Sequence, residues 1–364
     1  MQLGAYTGLR LIWVLWWSTV VGAMLQELAA RIGMVSGADL AHAVRARYPR
    51  WLTYTVYVNL ELAIMGADLQ DLLGTAHALR LLTGLPLYAG AIVSSALSML
   101  LLYVYESQRR YMEVGVGVTI LIVCFCFFVN TFHAQQHAKP ELGGIVGGMV
   151  VPGMQWWAAL PALGCVGAVI MPHNLFLHSN VVLSRRSEGG EGGEGGSKEP
   201  SRLQLRLALY YTRIETCASL FVTYACNVAV VAMFAPLFYE PQCITSTESL
   251  RACVSTGLFG EHNVSVAADG EVADACVIPA TGEEGICSEL ELGDAGLALG
   301  AVLGRGAMLM WGVGLLVAGQ ASVLATTYAG QARRCIADIQ MHAVRDAPLT
   351  ALTTPGCNLS LAHL

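Results

Sequence analysis

Charge is scarce in this sequence. Only 13% of its 364 residues are Asp, Glu, Lys or Arg, about half the share of a soluble domain. That leaves too little polar surface to face water, which excludes a soluble enzyme, a nucleic-acid binder and a secreted disulfide scaffold. Residues 1–10 do not read as a cleavable leader, lacking a basic start and a small-residue cleavage site. No P-loop, nucleotide-binding glycine fingerprint or zinc-finger spacing occurs, so ATP-driven pumping has no footing. No catalytic constellation stands out either, and no enzyme is expected.

What is present is apolar. Hydrophobic residues make up 55% of the chain. They gather into runs of about 20, the length that crosses some 30 Å of hydrocarbon as helix. Seven such segments lie at approximately 9–28, 54–74, 87–105, 112–132, 157–183, 209–235 and 296–326. The expected class is an all-α polytopic membrane protein.

Basic residues orient it. Arg31, Arg45, Arg47 and Arg50 follow the first segment, and Arg109 and Arg110 the third. Arg185, Arg186, Lys198, Arg202 and Arg206 follow the fifth, and Arg333, Arg334 and Arg345 the seventh. These are alternate loops, so one face is cytoplasmic. The other face holds only Arg10, Arg80, Lys139, Arg251 and Arg305. The N-terminus as written then falls outside, unless a helix precedes it.

Residues 188–200, EGGEGGEGGSKEP, read as a flexible cytoplasmic linker. The external loop 236–295 carries Cys243, Cys253, Cys276 and Cys287, together with the glycosylation sequon at Asn263. Four cysteines allow three pairings, and sequence does not choose among them. Cys124, Cys126, Cys165, Cys217 and Cys226 lie in spans and read as small apolar fillers.

The fifth segment holds the sharpest feature, Met171-Pro172-His173. Pro172 has no N–H to give the Ala168 carbonyl. A bared carbonyl at membrane depth belongs in a protein interior or a wet cavity. With the Met171 thioether it makes a plausible half-site for a soft or borderline divalent ion such as Mn²⁺ or Fe²⁺, whereas Ca²⁺ and Mg²⁺ prefer all-oxygen shells. A proline kink beside a packing methionine is the plain alternative. In the second segment Glu61 and Asp68 stand two turns apart on one helix face, with Asp71 a turn further. They read either as a proton or ion path or as structural ion pairs. Glu215, Asn227, Gln320 and Gln331 read as interhelical hydrogen-bonding residues.

The stretch Gly167 to Ser179, GAVIMPHNLFLHS, closely resembles the sixth-helix signature of the NRAMP family of proton-coupled divalent metal transporters. Residues 25–41, Glu61 to Asp71, and 314–331 resemble the family's second, third and eighth helices with their adjoining segments. This resemblance covers roughly residues 3–332. It implies a LeuT-like inverted-repeat fold, with the seven segments as helices two to eight. Met171 and the Ala168 carbonyl would be metal ligands. His173, Glu61, Asp68 and Asp71 would belong to the proton pathway or its network, although relatives often carry Glu where Asp71 stands.

Two departures accompany the resemblance. The family's first-helix Asp-Pro-Gly-Asn motif, which supplies further metal ligands, is absent. Residues 332–364 leave the family pattern and read as a divergent tail beyond a transmembrane domain at 1–331. A chain shortened at both ends is therefore expected. The implied activity is proton-coupled transport (symport) of Mn²⁺, Fe²⁺ and similar ions. The expected partners are those ions and the lipid bilayer, with no nucleic acid and no resident cofactor; oligomeric state has no sequence signal. The location is an integral membrane, plasma or endosomal/vacuolar. A truncated, non-transporting regulatory or signalling protein is the rival reading, and a carrier of organic substrates ranks behind both.

Overall fold

A computed structural model describes residues 1–107, 109–137, 142–188, 202–243, 250–255 and 275–343. Twelve α-helices dominate it among the described residues. In chain order the first six are α1 (Gln2–Thr7), α2 (Ile12–Ser36), α3 (Leu40–Arg47), α4 (Arg50–Thr83), α5 (Leu87–Ser107) and α6 (Arg109–His137). They are followed by α7 (Leu142–Val150), α8 (Ala159–Val169), α9 (Pro172–Glu188), α10 (Arg202–Phe238), α11 (Leu292–Leu303) and α12 (Arg305–Ala343).

The seven expected segments correspond to α2, α4, α5, α6, α8 with α9, α10, and α11 with α12. Among the described residues, five spans are long and apolar enough to cross a membrane alone: Ile12–Ser36, Gly117–Gln136, Trp156–Leu183, Arg202–Phe238 and Arg305–Thr327. α4 and α5 qualify only as a pair, and they bend by 114° at their junction. The physical reason lies in α4 itself, where Glu61, Asp68 and Asp71 dilute its apolar character. Gly84, in the left-handed region at φ 74°, closes α4 and permits the turn.

The last segment differs from expectation. It is two helices rather than one span at 296–326, because Gly304 at φ 91° breaks the run between α11 and α12.

α12 is the hub of the packing, lying against α4, α6, α9 and α11. α2 packs on α9 and α10, and α6 lies between α10 and α12. One core cluster gathers Tyr6, Phe127, Phe234, Phe238 and Trp311. The Trp311 ring centroid sits 5.2 Å from that of Phe234 and 5.4 Å from that of Phe127, tilted or edge-on as aromatic quadrupoles prefer. Large exposed apolar side chains, among them Leu69, Ile92, Leu121, Phe132 and Leu163, clothe the outside of the bundle. Such a surface suits lipid rather than water.

The described residues between α10 and α11 include a three-stranded antiparallel sheet, β1 (Ala252–Ser255), β2 (Ala275–Val277) and β3 (Glu284–Ser288), in the order β1-β3-β2. Two disulfides close it, Cys243–Cys287 and Cys253–Cys276. Cys253 lies directly opposite Cys287 in the β1–β3 ladder, yet each bonds elsewhere. Asn263, most of the glycine-rich linker (residues 189–200) and the tail beyond residue 343 lie outside the described residues.

Candidate functional site

The fifth span is interrupted in its middle. α8 stops at Val169, and Ile170 leaves helical geometry at φ −99° and ψ 83°. Its N–H still reaches the Val166 carbonyl at 2.8 Å. Helix resumes at Pro172, with the Asn174 N–H on the Met171 carbonyl at 3.1 Å. Proline fits the first position of a helix, since no partner there needs its missing N–H and its fixed φ is already helical. The interruption is thus a full break. Ala168 and Met171 lie on its two sides, Ala168 exposed and Met171 half-buried. The Asn174 side-chain nitrogen lies 3.5 Å from the Met171 sulfur.

One residue past the proline, His173 is only 3% exposed, and its Nδ1 has no hydrogen-bond partner among the described residues. α9 packs against α4, and Asp68 of α4 is close enough to act electrostatically on the imidazole. Asp68 also faces the charge of Asp71, beside which stands Ser322 of α12. The atoms Asp68 Oδ1 and Asp71 Oδ2 are buried and, like His173 Nδ1, lack hydrogen bonds among the described residues. Ion pairs are seen elsewhere, joining Glu27 with Arg31 and Arg213, and Asp39 with His42. Buried polar atoms without partners are costly. A proton or a cation bound there would relieve that cost. Glu61 is half-buried two turns before Asp68 on the same helix.

α4 and α12 meet closely here for a local reason. The Thr75 hydroxyl donates to the Asp71 carbonyl at 2.5 Å. A Cβ placed on Gly319 would lie 2.7 Å from that hydroxyl oxygen. Only glycine lets the two backbones approach this far at Asp71. Beyond it Gln320, one of the polar residues noted in the sequence, holds α5. Its amide oxygen accepts from Ser98 at 3.1 Å and its amide nitrogen donates to Ser94 at 3.2 Å. Ser94, Ser98 and Ser322 carry no sequence signal beyond being polar in apolar helices.

The segment after α2 also has a structural account. Gly33 lies so close to α9 that a Cβ would stand 2.7 Å from the Ser179 carbonyl oxygen. Gly37 ends α2 in the left-handed conformation, and Asp39 caps α3 by accepting from the His42 N–H at 2.9 Å. The Ser179 hydroxyl accepts from the Leu40 N–H at 2.8 Å. Asp39 and His42 side chains also bond each other. Burial pushes the Asp39 carboxyl up, but hydrogen bonds from His42 outweigh it and hold the carboxyl below its ordinary range. The same bond raises the His42 imidazole above its ordinary value, against some loss from burial.

Glu27 is a residue that sequence reasoning passed over. It bonds Arg31 on its own helix and Arg213 of α10 at 2.7 Å. The signal was there, in a carboxylate four residues before an arginine. The sulfurs of Cys243, Cys253 and Cys276 lie within 4.8 Å of one another, but disulfides occupy all three, leaving no thiolate for a metal.

The family model described as natural resistance-associated macrophage protein-like matches residues 1–343, continuing with α12 past Gln331. The chain is 33% identical over 342 residues to natural resistance-associated macrophage protein 1 of Sus scrofa, covering 91% of this chain and 56% of that protein. It is 33% identical over 341 residues to natural resistance-associated macrophage protein 2 of Homo sapiens, covering 91% and 53%. The chain thus spans about half the length of the curated relatives it matches. A crystal structure of the Eremococcus coleocola manganese transporter, bound to an aromatic bis-isothiourea substituted compound, resembles it with a TM-score of 0.63. That match has 25% identity and covers 93% of this chain and 61% of the other.

Proposed function

This chain belongs to the natural resistance-associated macrophage protein-like family, an integral multi-pass membrane family, and from that premise we propose that it carries divalent transition-metal ions across a membrane together with protons. Mn²⁺ and Fe²⁺ are the proposed cargo rather than resident cofactors. The observation that carries this reading is the break at Ile170–Met171, where a thioether sits beside unwound backbone inside a span. Discontinuous helices of this kind build ion sites in many secondary transporters. A thioether favours softer ions over Ca²⁺, which takes oxygen shells. The similar structure is that of a manganese transporter, which points the same way.

The proton side rests on Asp68, Asp71 and His173: His173 is buried just past the break, and Asp68 and Asp71 are half-buried on α4, with Asp68 acting on both of the others. Glu61 extends the same helix row. The test is Mn²⁺ uptake into proteoliposomes holding the protein, with Ca²⁺ as competitor. Met171→Ala is expected to weaken the preference for Mn²⁺ over Ca²⁺ at least tenfold, the effect of about 1.4 kcal/mol in differential affinity. An unchanged preference would remove Met171 from the site.

A further inference from the structure

The chain has two thiols in adjacent spans that its transport chemistry does not use. Cys124 lies on α6 and Cys226 on α10, and their sulfurs are 2.8 Å apart. Both are half-buried and both are free thiols. A formed disulfide has a sulfur separation of about 2.05 Å, so the pair is already most of the way to bonding distance. Its neighbours hold it there. The Thr131 hydroxyl donates to the Ala229 carbonyl at 2.8 Å, and the Gln135 amide to the Ala232 carbonyl at 3.2 Å, both along the same α6–α10 seam. The closeness therefore belongs to a fixed helix interface rather than to loose side chains. Cys126, two residues on, is buried on a different side of α6.

We propose that Cys124 and Cys226 form an oxidisable pair, a modification site that takes peroxide-class oxidants and staples α6 to α10. The span Gly117–Gln136 places Cys124 seven residues from its nearer end, about 10 Å into the membrane at 1.5 Å per residue. Small uncharged oxidants reach that depth and charged disulfides such as oxidised glutathione do not. One sulfur attacks a peroxide oxygen, giving a sulfenic acid and water. The second sulfur then displaces the sulfenic hydroxyl as a second water. Both thiol hydrogens leave in the waters, two electrons pass to hydrogen peroxide, and one S–S bond forms.

The linker makes the test direct. A protease site placed in residues 188–200 separates Cys124 from Cys226 in sequence, while both external disulfides lie wholly on the C-terminal side of the cut. The full chain in its membrane is treated with hydrogen peroxide, blocked with N-ethylmaleimide, cleaved and run on a denaturing gel without reductant. The halves are expected to migrate together, to separate after dithiothreitol, and to separate without it in Cys124→Ser and in Cys226→Ser. Cys126→Ser and Cys217→Ser should still give joined halves, showing that a serine in these spans leaves the seam intact. Halves that separate after peroxide in the unaltered chain would overturn the proposal. So would halves that stay joined in the Cys124→Ser and Cys226→Ser variants.

Discussion

Arg213, near the start of α10, reaches back to Glu27 of α2 at 2.7 Å, and Arg31 takes the same carboxylate oxygen from one turn along α2. One acid thus pins two spans together. The carboxylate side chain is 27% exposed and both arginines are about half exposed. Solvent screening then limits the network to about 1 kcal/mol. Glu27→Gln is expected to lower thermal stability by that order at low salt. The gap to wild type should close in 1 M salt, where charges are screened within about 3 Å. A gap that persists would mean that packing, not charge, is what Glu27 supplies.

The Asp39–His42 pair gives a pH signature. His42 is raised in the folded state, so its contribution is complete below its unfolded value of about 6.5 and fades as pH rises through the higher folded value. Asp39 is lowered, so its contribution holds above about 3.9 and is lost as pH falls through the lower folded value. Between about pH 4 and 6.5 both are present. Unfolding curves from pH 6 to 9 should show His42→Gln flattening the decline of the unaltered protein. Parallel curves would show that the pair does not couple stability to pH.

Gly33 and Gly115 separate two roles of helical glycine. A methyl on Gly33 meets the Ser179 carbonyl oxygen at 2.7 Å, whereas one on Gly115 meets nothing within 4 Å. Gly33→Ala should therefore cost about 1–3 kcal/mol through overpacking of α2 on α9. Gly115→Ala should be neutral, or stabilise by up to about 1 kcal/mol through helix propensity. Melting temperatures of the two variants, measured side by side, check both signs.

Asp68 faces both His173 and Asp71. If this group conducts the proton, Asp68→Asn should reduce the acidification that accompanies Mn²⁺ uptake more than it reduces Mn²⁺ binding. Paired measurements of internal pH and isothermal Mn²⁺ binding separate the two. Equal losses in both would place Asp68 in the metal site or in the packing instead.

Much of this arrangement was legible because it violates the lipid solvent. Proline, histidine and carboxylates stand out in apolar helices, which is what singles out Met171-Pro172-His173, Asp68 and Asp71 in the sequence. Gly304 did not stand out. Glycine is ordinary in membrane helices, and only the backbone reveals its φ of 91°. The Ser94–Gln320–Ser98 bonds were equally silent, since residues 222 and 226 positions apart meet only in three dimensions. The disulfide choice was hidden for the same reason. Four cysteines allow three pairings, and only the folded chain shows which forms, since Cys253 bonds Cys276 and not the Cys287 that lies opposite it.

The Tyr6 hydroxyl donates to the Leu290 carbonyl at 3.3 Å and accepts from the Leu290 N–H at 2.9 Å, across 284 positions of sequence. A single phenol thereby serves both backbone groups of the residue that leads from the disulfide-closed sheet into α11. The small sheet is consequently geared to the helix bundle rather than hung from it. A shift of α1 on α10 must either carry the entry of α11 with it or leave Leu290 short of two hydrogen bonds.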